Sequence, residues 1–329
     1  MPAIECRSLT KYYGDVRGIE DVSFAVEDGE VFGFLGPNGA GKTTAIRTLL
    51  GLLSPTSGGA ALLGHDATDP GDSRAARERI GYLPGDPGLD ADRTAEAFLD
   101  HQAALRGAGS REALVARFGL DESRRIGDLS RGNRQKVALV AAFMHDPDLL
   151  LLDEPTSGLD PLLQEEFAAL VRERVDDGAS VLLSSHVLGE VAALCDRVGV
   201  LREGRLAAVE TVEDLRSRGG KQVRVRVAED VSRADFEVRG AMNLRVGETV
   251  SFTWTGGYDA LIDLLDRFTV RDLEVVDAPL EEAFMTFYDG DVPGPGSRGR
   301  ARGARGTRET GRTEESAPAT GTDAAGGDR

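Results

Sequence analysis

Hydrophobic positions along the chain change period several times, and the changes outline its elements. Val31–Leu35 is a short apolar run ending in a glycine-rich stretch, and apolar positions from Ala45 to Leu53 then follow a helical period. Leu149–Leu152 and Val181–Leu183 are unbroken apolar runs, the pattern of strands buried on both faces of a mostly parallel sheet. Between them Phe167, Leu170 and Val171 recur at helical spacing. Strand-like and helix-like segments alternate over residues 1–217, which predicts an α/β domain. From Thr94 to Phe118 the pattern is helical with no strand signal, which predicts an inserted helical subdomain over about 85–145.

The period changes again at Gln222. Val223, Val225 and Val227 alternate with polar residues, and Val250, Phe252 and Trp254 do the same, predicting two half-buried strands. Gly256–Gly257 breaks the chain. Leu261, Leu264, Leu265 and Phe268 then give a helix face, Val270–Val276 a further strand and Glu281–Phe287 a last helix. Residues 218–289 are therefore expected to form a small α+β module, its polar residues scattered over solvent-facing positions. Residues 290–329 hold ten glycines and one large aliphatic, Val292, which predicts a disordered tail.

Composition narrows the function. The 329 residues carry 56 acidic against 39 basic side chains, a net charge of −17 that repels polyanions and excludes a general nucleic-acid binder. The tail carries seven arginines against six acids, so the acidity belongs to the part expected to fold. The longest apolar stretch, Val137–Met144, is too short to span a bilayer. The N-terminus shows no basic-then-apolar signal pattern, and Cys6 and Cys195 alone make no disulfide framework, so a cytosolic chain is expected. Four scattered histidines offer no metal-ligand spacing.

One motif carries chemistry by itself. Gly36, Pro37, Asn38, Gly39, Ala40, Gly41, Lys42 and Thr43 fit G-x-x-x-x-G-K-[ST], between a predicted strand and a predicted helix. Glycines there let successive backbone N–H groups turn inward around phosphate oxygens, and the helix that follows adds its positive end. In that setting Lys42 reaches the β- and γ-phosphates, the Thr43 hydroxyl holds Mg²⁺, and Thr44 extends the cradle. The Leu149–Leu152 strand ends in Asp153 and Glu154, which suit a Mg²⁺ ligand and a carboxylate polarising an attacking water. Ser130 suits the N-cap of a following helix, 23 residues before Asp153. Ser157–Asp160 follow Glu154, and His186 follows the Val181–Ser185 strand.

With these five motifs in order, residues 1–217 resemble the ATP-binding cassette (ABC) ATPases: phosphate loop, Leu-Ser-x-Gly-x signature, Asp-Glu strand, Ser-Gly-Leu-Asp loop and switch histidine. The resemblance implies a P-loop cassette in which a mixed sheet with helices carries an inserted helical subdomain. It implies ATP with Mg²⁺ held by Thr43 and Asp153, Glu154 and His186 as catalytic residues, and an aromatic stacking on adenine. Tyr13 matches that aromatic, with Tyr12 its competitor, since every base offers a π-face to a ring. It also implies a head-to-tail homodimer, in which Ser130, Gly132 and Asp160 of one copy close over the nucleotide held by the other.

The extended signature Leu129-Ser130-Arg131-Gly132-Asn133-Arg134-Gln135-Lys136 looks like exporter ATPases of the ABC-2 class. The run Pro279–Phe284 is similar to the C-terminal module of daunorubicin-exporter ATPases. The expected function is therefore an exporter's ATPase subunit on the cytoplasmic face of the membrane, with a separate multi-span permease docking beside residues 82–100. The alternative is a soluble, non-transport ABC ATPase acting on a macromolecular partner. One departure stands out: Gly85 occupies the place after Gly81-Tyr82-Leu83-Pro84 where many relatives carry a glutamine that meets Mg²⁺. Water, or Asp86 after a loop shift, would then complete the metal shell.

Overall fold

The structure, a computed structural model, describes residues 1–69 and 71–278. The expected helix Glu281–Phe287, the run Pro279–Phe284 and the tail 290–329 lie outside the described residues. The chain opens on an antiparallel sheet of order β2-β1-β4-β5, formed by β1 (Ile4–Tyr13), β2 (Val16–Val26), β4 (Ser57–Leu62) and β5 (His65–Asp66). Tyr13 faces Val16 across a two-residue hairpin loop that starts at Gly14, φ 61°. This sheet is hidden in the pattern. Register shifts break the pairing of β1 with β2 at three places, and Ser8 adopts φ 46°, so no clean alternation survives.

The central sheet has the order β10-β9-β3-β8-β7-β6. Its members are β3 (Val31–Leu35), β6 (Ile80–Leu83), β7 (Leu149–Asp153), β8 (Ser180–Ser185), β9 (Arg197–Arg202) and β10 (Arg205–Thr211). All neighbours run parallel except the β9–β10 edge pair. Every residue of β3, β7 and β8 is buried: the burial on both faces expected of Leu149–Leu152 and Val181–Leu183 holds, and it extends to Asp153, Ser180, Ser184 and Ser185. The two faces divide the leucines of β7. Leu150 and Leu152 join a core with Val140, Phe143 and Phe167, while Leu149 and Leu151 pack with Phe32, Phe34, Ile46 and the first sheet.

Register decides what the sheet presents at its carboxyl edge. Leu35 pairs with Ser185, and Asp153 with Ser184, so β3, β7 and β8 end side by side. The phosphate loop, Asp153–Glu154 and Ser184–His186 therefore emerge at one edge, where open α/β sheets place their ligands. Helix α1 spans Lys42–Leu49 rather than Ala45–Leu53. It begins at once after Gly41, whose φ of 106° ends the loop, and its first turn is polar, so periodicity alone starts it late.

Around this sheet lie α2 (Asp72–Glu78), α3 (Ala95–Arg106), α4 (Arg111–Arg117), α5 (Arg131–Phe143), α6 (Pro161–Asp176), α7 (Leu188–Leu194) and α8 (Val212–Gly219). The helical pattern over Thr94–Phe118 resolves into α3 and α4, parted at Gly107, φ 95°, with Thr94 capping α3. Within 85–145 the only β feature among the described residues is the bridge Thr94–Arg125.

A third sheet, order β12-β13-β11-β14 and antiparallel, comprises β11 (Lys221–Val227), β12 (Ala241–Arg245), β13 (Val250–Trp254) and β14 (Val270–Asp277). With α9 (Arg233–Phe236) and α10 (Tyr258–Leu265) it encloses its own cluster of Val223, Val225, Phe236, Phe252, Trp254 and Leu261. Three expectations change here. Strand β12 escapes notice because Met242 and Asn243 face solvent in succession. Phe268 lies beyond α10 and reaches the cluster by stacking on Phe236, 4.9 Å between centroids. Thr253 is buried at 4% exposure, so not every polar residue of this module faces water. Among the described residues no helix is long and apolar enough to cross a membrane.

Candidate nucleotide site

The loop from Gly36 to Gly41 is shaped by what a side chain would strike. A Cβ at Gly36 would stand 2.4 Å from the Leu201 carbonyl oxygen, and one at Gly41 would stand 2.7 Å from that of Gly18. The first turn of α1 has no acidic residue, and Gly41 offers it no side-chain cap. Its leading N–H groups are thus left for an anion. Lys42, 5% exposed, folds back over the loop and donates to the carbonyl oxygens of Gly36 (2.7 Å) and Pro37 (3.3 Å). Its Nζ also lies 3.1 Å from Glu154 Oε1, an ion-pair distance without hydrogen-bond geometry.

Glu154 is held from several directions. Its backbone takes φ 50°, a conformation unusual for a side-chain-bearing residue and typical of functional turns. Its N–H points at both the carbonyl oxygen and the hydroxyl of Ser184, each 3.1 Å away. His186 Nδ1 lies 2.6 Å from Glu154 Oε2. A carboxylate can only accept, so Nδ1 carries the proton. Ser184 Oγ donates to Asp153 Oδ1 at 2.6 Å. Asp153 is 2% exposed, and among the described residues no cation pairs with it.

That buried carboxylate is the observation that tests the expected metal. Asp153 and the Thr43 hydroxyl supply the hard oxygen donors that Mg²⁺ takes from protein while it keeps several waters. The residues fit the ion. No group of three or more His, Cys, Asp or Glu among the described residues makes a separate metal site. Gly85 stands against Asp153: a Cβ there would lie 3.3 Å from its carbonyl oxygen and 3.4 Å from Oδ2. A side chain at position 85 would therefore point at the acid, whereas Asp86 is exposed.

A cleft of about 310 Å³ is lined by Tyr13, Val16, Arg17, Gly18, the loop from Pro37 to Thr44 and Glu154. Tyr13 is 47% exposed there, with Lys11 Nζ 5.5 Å from its ring centre. Tyr12 does not line it, and its N–H donates to Thr56 Oγ1. A larger groove of about 590 Å³ on the third sheet, bordered by Gln222, Arg233, Arg245 and Thr253, has no phosphate loop beside it.

Ser130, Gly132 and Asp160 stand outside the cleft. Ser130 caps α5 by accepting from the Asn133 N–H (3.2 Å), and Asp160 caps α6 by accepting from that of Leu163 (3.0 Å). Both caps face solvent. The start of α5 is fastened to the chain that follows Glu154. Arg131 Nη2 donates to Ser157 Oγ (2.9 Å), and the buried Gln135 donates to the Pro155 carbonyl (3.0 Å). Cys6 and Cys195 are free and buried, and burial pushes the Cys6 thiol up to about 12, so neither is poised as a nucleophile.

The geometry agrees with the relatives. The family model "ABC transporter" matches residues 19–157. The chain is 40% identical over 223 residues to the probable multidrug ABC transporter ATP-binding protein YbhF of Escherichia coli, covering 65% of this chain and 38% of that one. The chain thus spans less than two fifths of that relative's length. It is 38% identical to the daunorubicin/doxorubicin resistance ATP-binding protein DrrA of Streptomyces peucetius, over 71% of this chain and 73% of that one. A solved structure of the ATP binding subunit of an ABC transporter superposes with a TM-score of 0.61 at 33% identity, covering 65% of this chain and 92% of that one. Motif order, the shared edge of the central sheet and these relatives agree: the chain belongs to the family of ABC transporter ATP-binding proteins.

Proposed function

We propose that the chain is the ATP-binding and ATP-hydrolysing subunit of an ABC exporter, working as a homodimer through a separate membrane permease on the cytoplasmic face. One observation carries the hydrolytic part. Lys42, Glu154, His186 and the Ser184–Asp153 pair converge on one sheet edge beside a glycine loop closing on a helix N-terminus. Residues 1–217 are read as the cassette, with its helical subdomain over about 85–145 and the 218–289 module and the tail beyond it. The third sheet's separate hydrophobic cluster supports that division.

In the proposed mechanism the loop N–H groups and Lys42 bind the triphosphate, and Tyr13 stacks on adenine. Phosphate oxygens compete with Glu154 for the Lys42 ammonium, so nucleotide entry frees the carboxylate to accept a proton from water. His186 keeps that carboxylate oriented and contacts the γ-phosphate. Thr43 and Asp153 would hold Mg²⁺, which would offset charge on the phosphate oxygens. Gly85 contributes no side chain to that site. Ser130, Gly132 and Asp160 meet the nucleotide held by the second copy, which suits two exposed helix N-termini. The relatives' names, a probable multidrug ABC transporter ATP-binding protein for YbhF and a daunorubicin/doxorubicin resistance ATP-binding protein for DrrA, favour export. A groove of about 250 Å³ between Tyr82, Leu89, Phe98 and Ala138 offers the permease an apolar seat.

A pull-down of the tagged full chain from detergent extract tests the partner. The expected companion is a multi-span membrane protein; recovery of ribosomes in its place would favour the soluble alternative.

A further inference from the structure

Two chain segments must be placed together for the proposed hydrolysis: the turn after β7, which carries Glu154, and the end of β8, which carries His186. One side chain joins them from outside the cleft. Glu190, in α7, accepts hydrogen bonds from Thr156 Oγ1 with one carboxylate oxygen and from Ser185 Oγ (2.6 Å) with the other. Thr156 lies two residues after Glu154, and Ser185 immediately precedes His186. Since His186 Nδ1 bonds Glu154 Oε2, the contacts close into a ring: Glu154, Thr156, Glu190, Ser185, His186 and back to Glu154.

The ring is built of groups with little freedom. Ser185 is fully buried and Thr156 is 7% exposed. The Val187 N–H also donates to Ser185 Oγ at 2.9 Å, fixing where that hydroxyl can point. Among the described residues no cation pairs with Glu190, so its half-buried charge is met by two hydroxyls and the solvent that reaches it. Hydrogen bonds to a charged acceptor are stronger than neutral ones, and a closed network holds its members more firmly than separate pairs do.

We infer that Glu190 is a positioning residue, which sets the separation and orientation of Glu154 and His186 by clamping the Thr156 and Ser185 hydroxyls. The inference rests on the hydrolytic reading of the site. Its cost structure follows from geometry: a displacement of about 1 Å in a reacting group lowers rates by up to ~100-fold while leaving binding contacts in place.

The test is ATP turnover and ATP affinity of the purified full chain, with Glu154→Gln as control. Glu190→Ala is expected to lower kcat roughly 10- to 100-fold with ATP affinity changed less than about threefold, the signature of lost transition-state geometry rather than lost binding. Glu190→Gln keeps an acceptor and a donor for the two rotatable hydroxyls and is expected to restore kcat to within about threefold of the parent. Thr156→Val and Ser185→Ala each remove one arm. In the Thr156→Val/Ser185→Ala background, Glu190→Ala is expected to cost less than it does in the parent. Parent-like kcat in Glu190→Ala would overturn the inference, and so would a fall in kcat, affinity and unfolding midpoint together that Gln does not repair. If Glu190→Ala fails to fold, the two single-arm variants decide, and full turnover in both overturns it. Turnover surviving in Glu154→Gln would instead overturn the hydrolytic reading itself.

Discussion

Glycine choices in the phosphate loop are set by distances that the sequence does not carry. The motif marks Gly36 as part of a phosphate cradle, but the closest constraint on it comes from β9, through the Leu201 carbonyl. A methyl group at Gly36 would stand 2.4 Å from that oxygen, so one backbone must move. Gly36→Ala is therefore expected to destabilise the fold by about 1–3 kcal/mol, through overpacking, and to weaken nucleotide binding as the loop shifts. Thermal unfolding and nucleotide titration check this; a parent-like midpoint and affinity would contradict it. The other site residues were legible to different degrees. The sequence motifs single out Lys42, Asp153, Glu154 and His186, which the fold brings to one edge. Ser184, Gln135 and Glu190 carry no such signal, because a serine in a strand or a glutamate in a helix is ordinary until the fold shows what it touches.

At the scale of elements, burial on two faces made β3, β7 and β8 easy to read, since an apolar run bounded by turns has few alternatives. Their register supplies the functional consequence by aligning Asp153 with Ser184 and Leu35 with Ser185. Helix α6 holds this arrangement from one side. Phe167 is fully buried and meets Phe143 of α5 edge-on, 6.3 Å between ring centres. Phe167→Ala is expected to cost about 3–5 kcal/mol in denaturant unfolding, and a loss below about 1 kcal/mol would mean that α6 is not anchored there. Elements with irregular pairing were the hard ones. The shifts in β1 and the exposed pair in β12 leave no period to find, and α1 starts in a polar turn because the loop, not a hydrophobic face, fixes its beginning.

At the scale of the whole molecule, the alternation of strand-like and helix-like segments correctly implied an α/β domain built on a mostly parallel sheet. It did not reveal that the N-terminal strands form a second, antiparallel sheet packed on the same core as α1. The net charge of −17 repels polyanions at a distance, yet the proposed site needs only a local ring of N–H groups and one buried lysine to receive a triphosphate. A strongly acidic protein and an anionic substrate are compatible because the decisive field is local. The fastening of α5 to the turn after Glu154, through Arg131 and Gln135, ties the exposed signature end to the carboxylate that the account makes catalytic.

In the proposed reaction Glu154 takes the proton from water while Lys42 and the loop bind nucleotide. Phosphate release at saturating Mg-ATP, measured for the parent chain and for Glu154→Gln alongside ATP binding to each, tests it most directly. Glu154→Gln is expected to bind ATP as the parent does, with turnover lowered about 100-fold or more, the scale of a removed general base. Parent-like phosphate release by Glu154→Gln would contradict it.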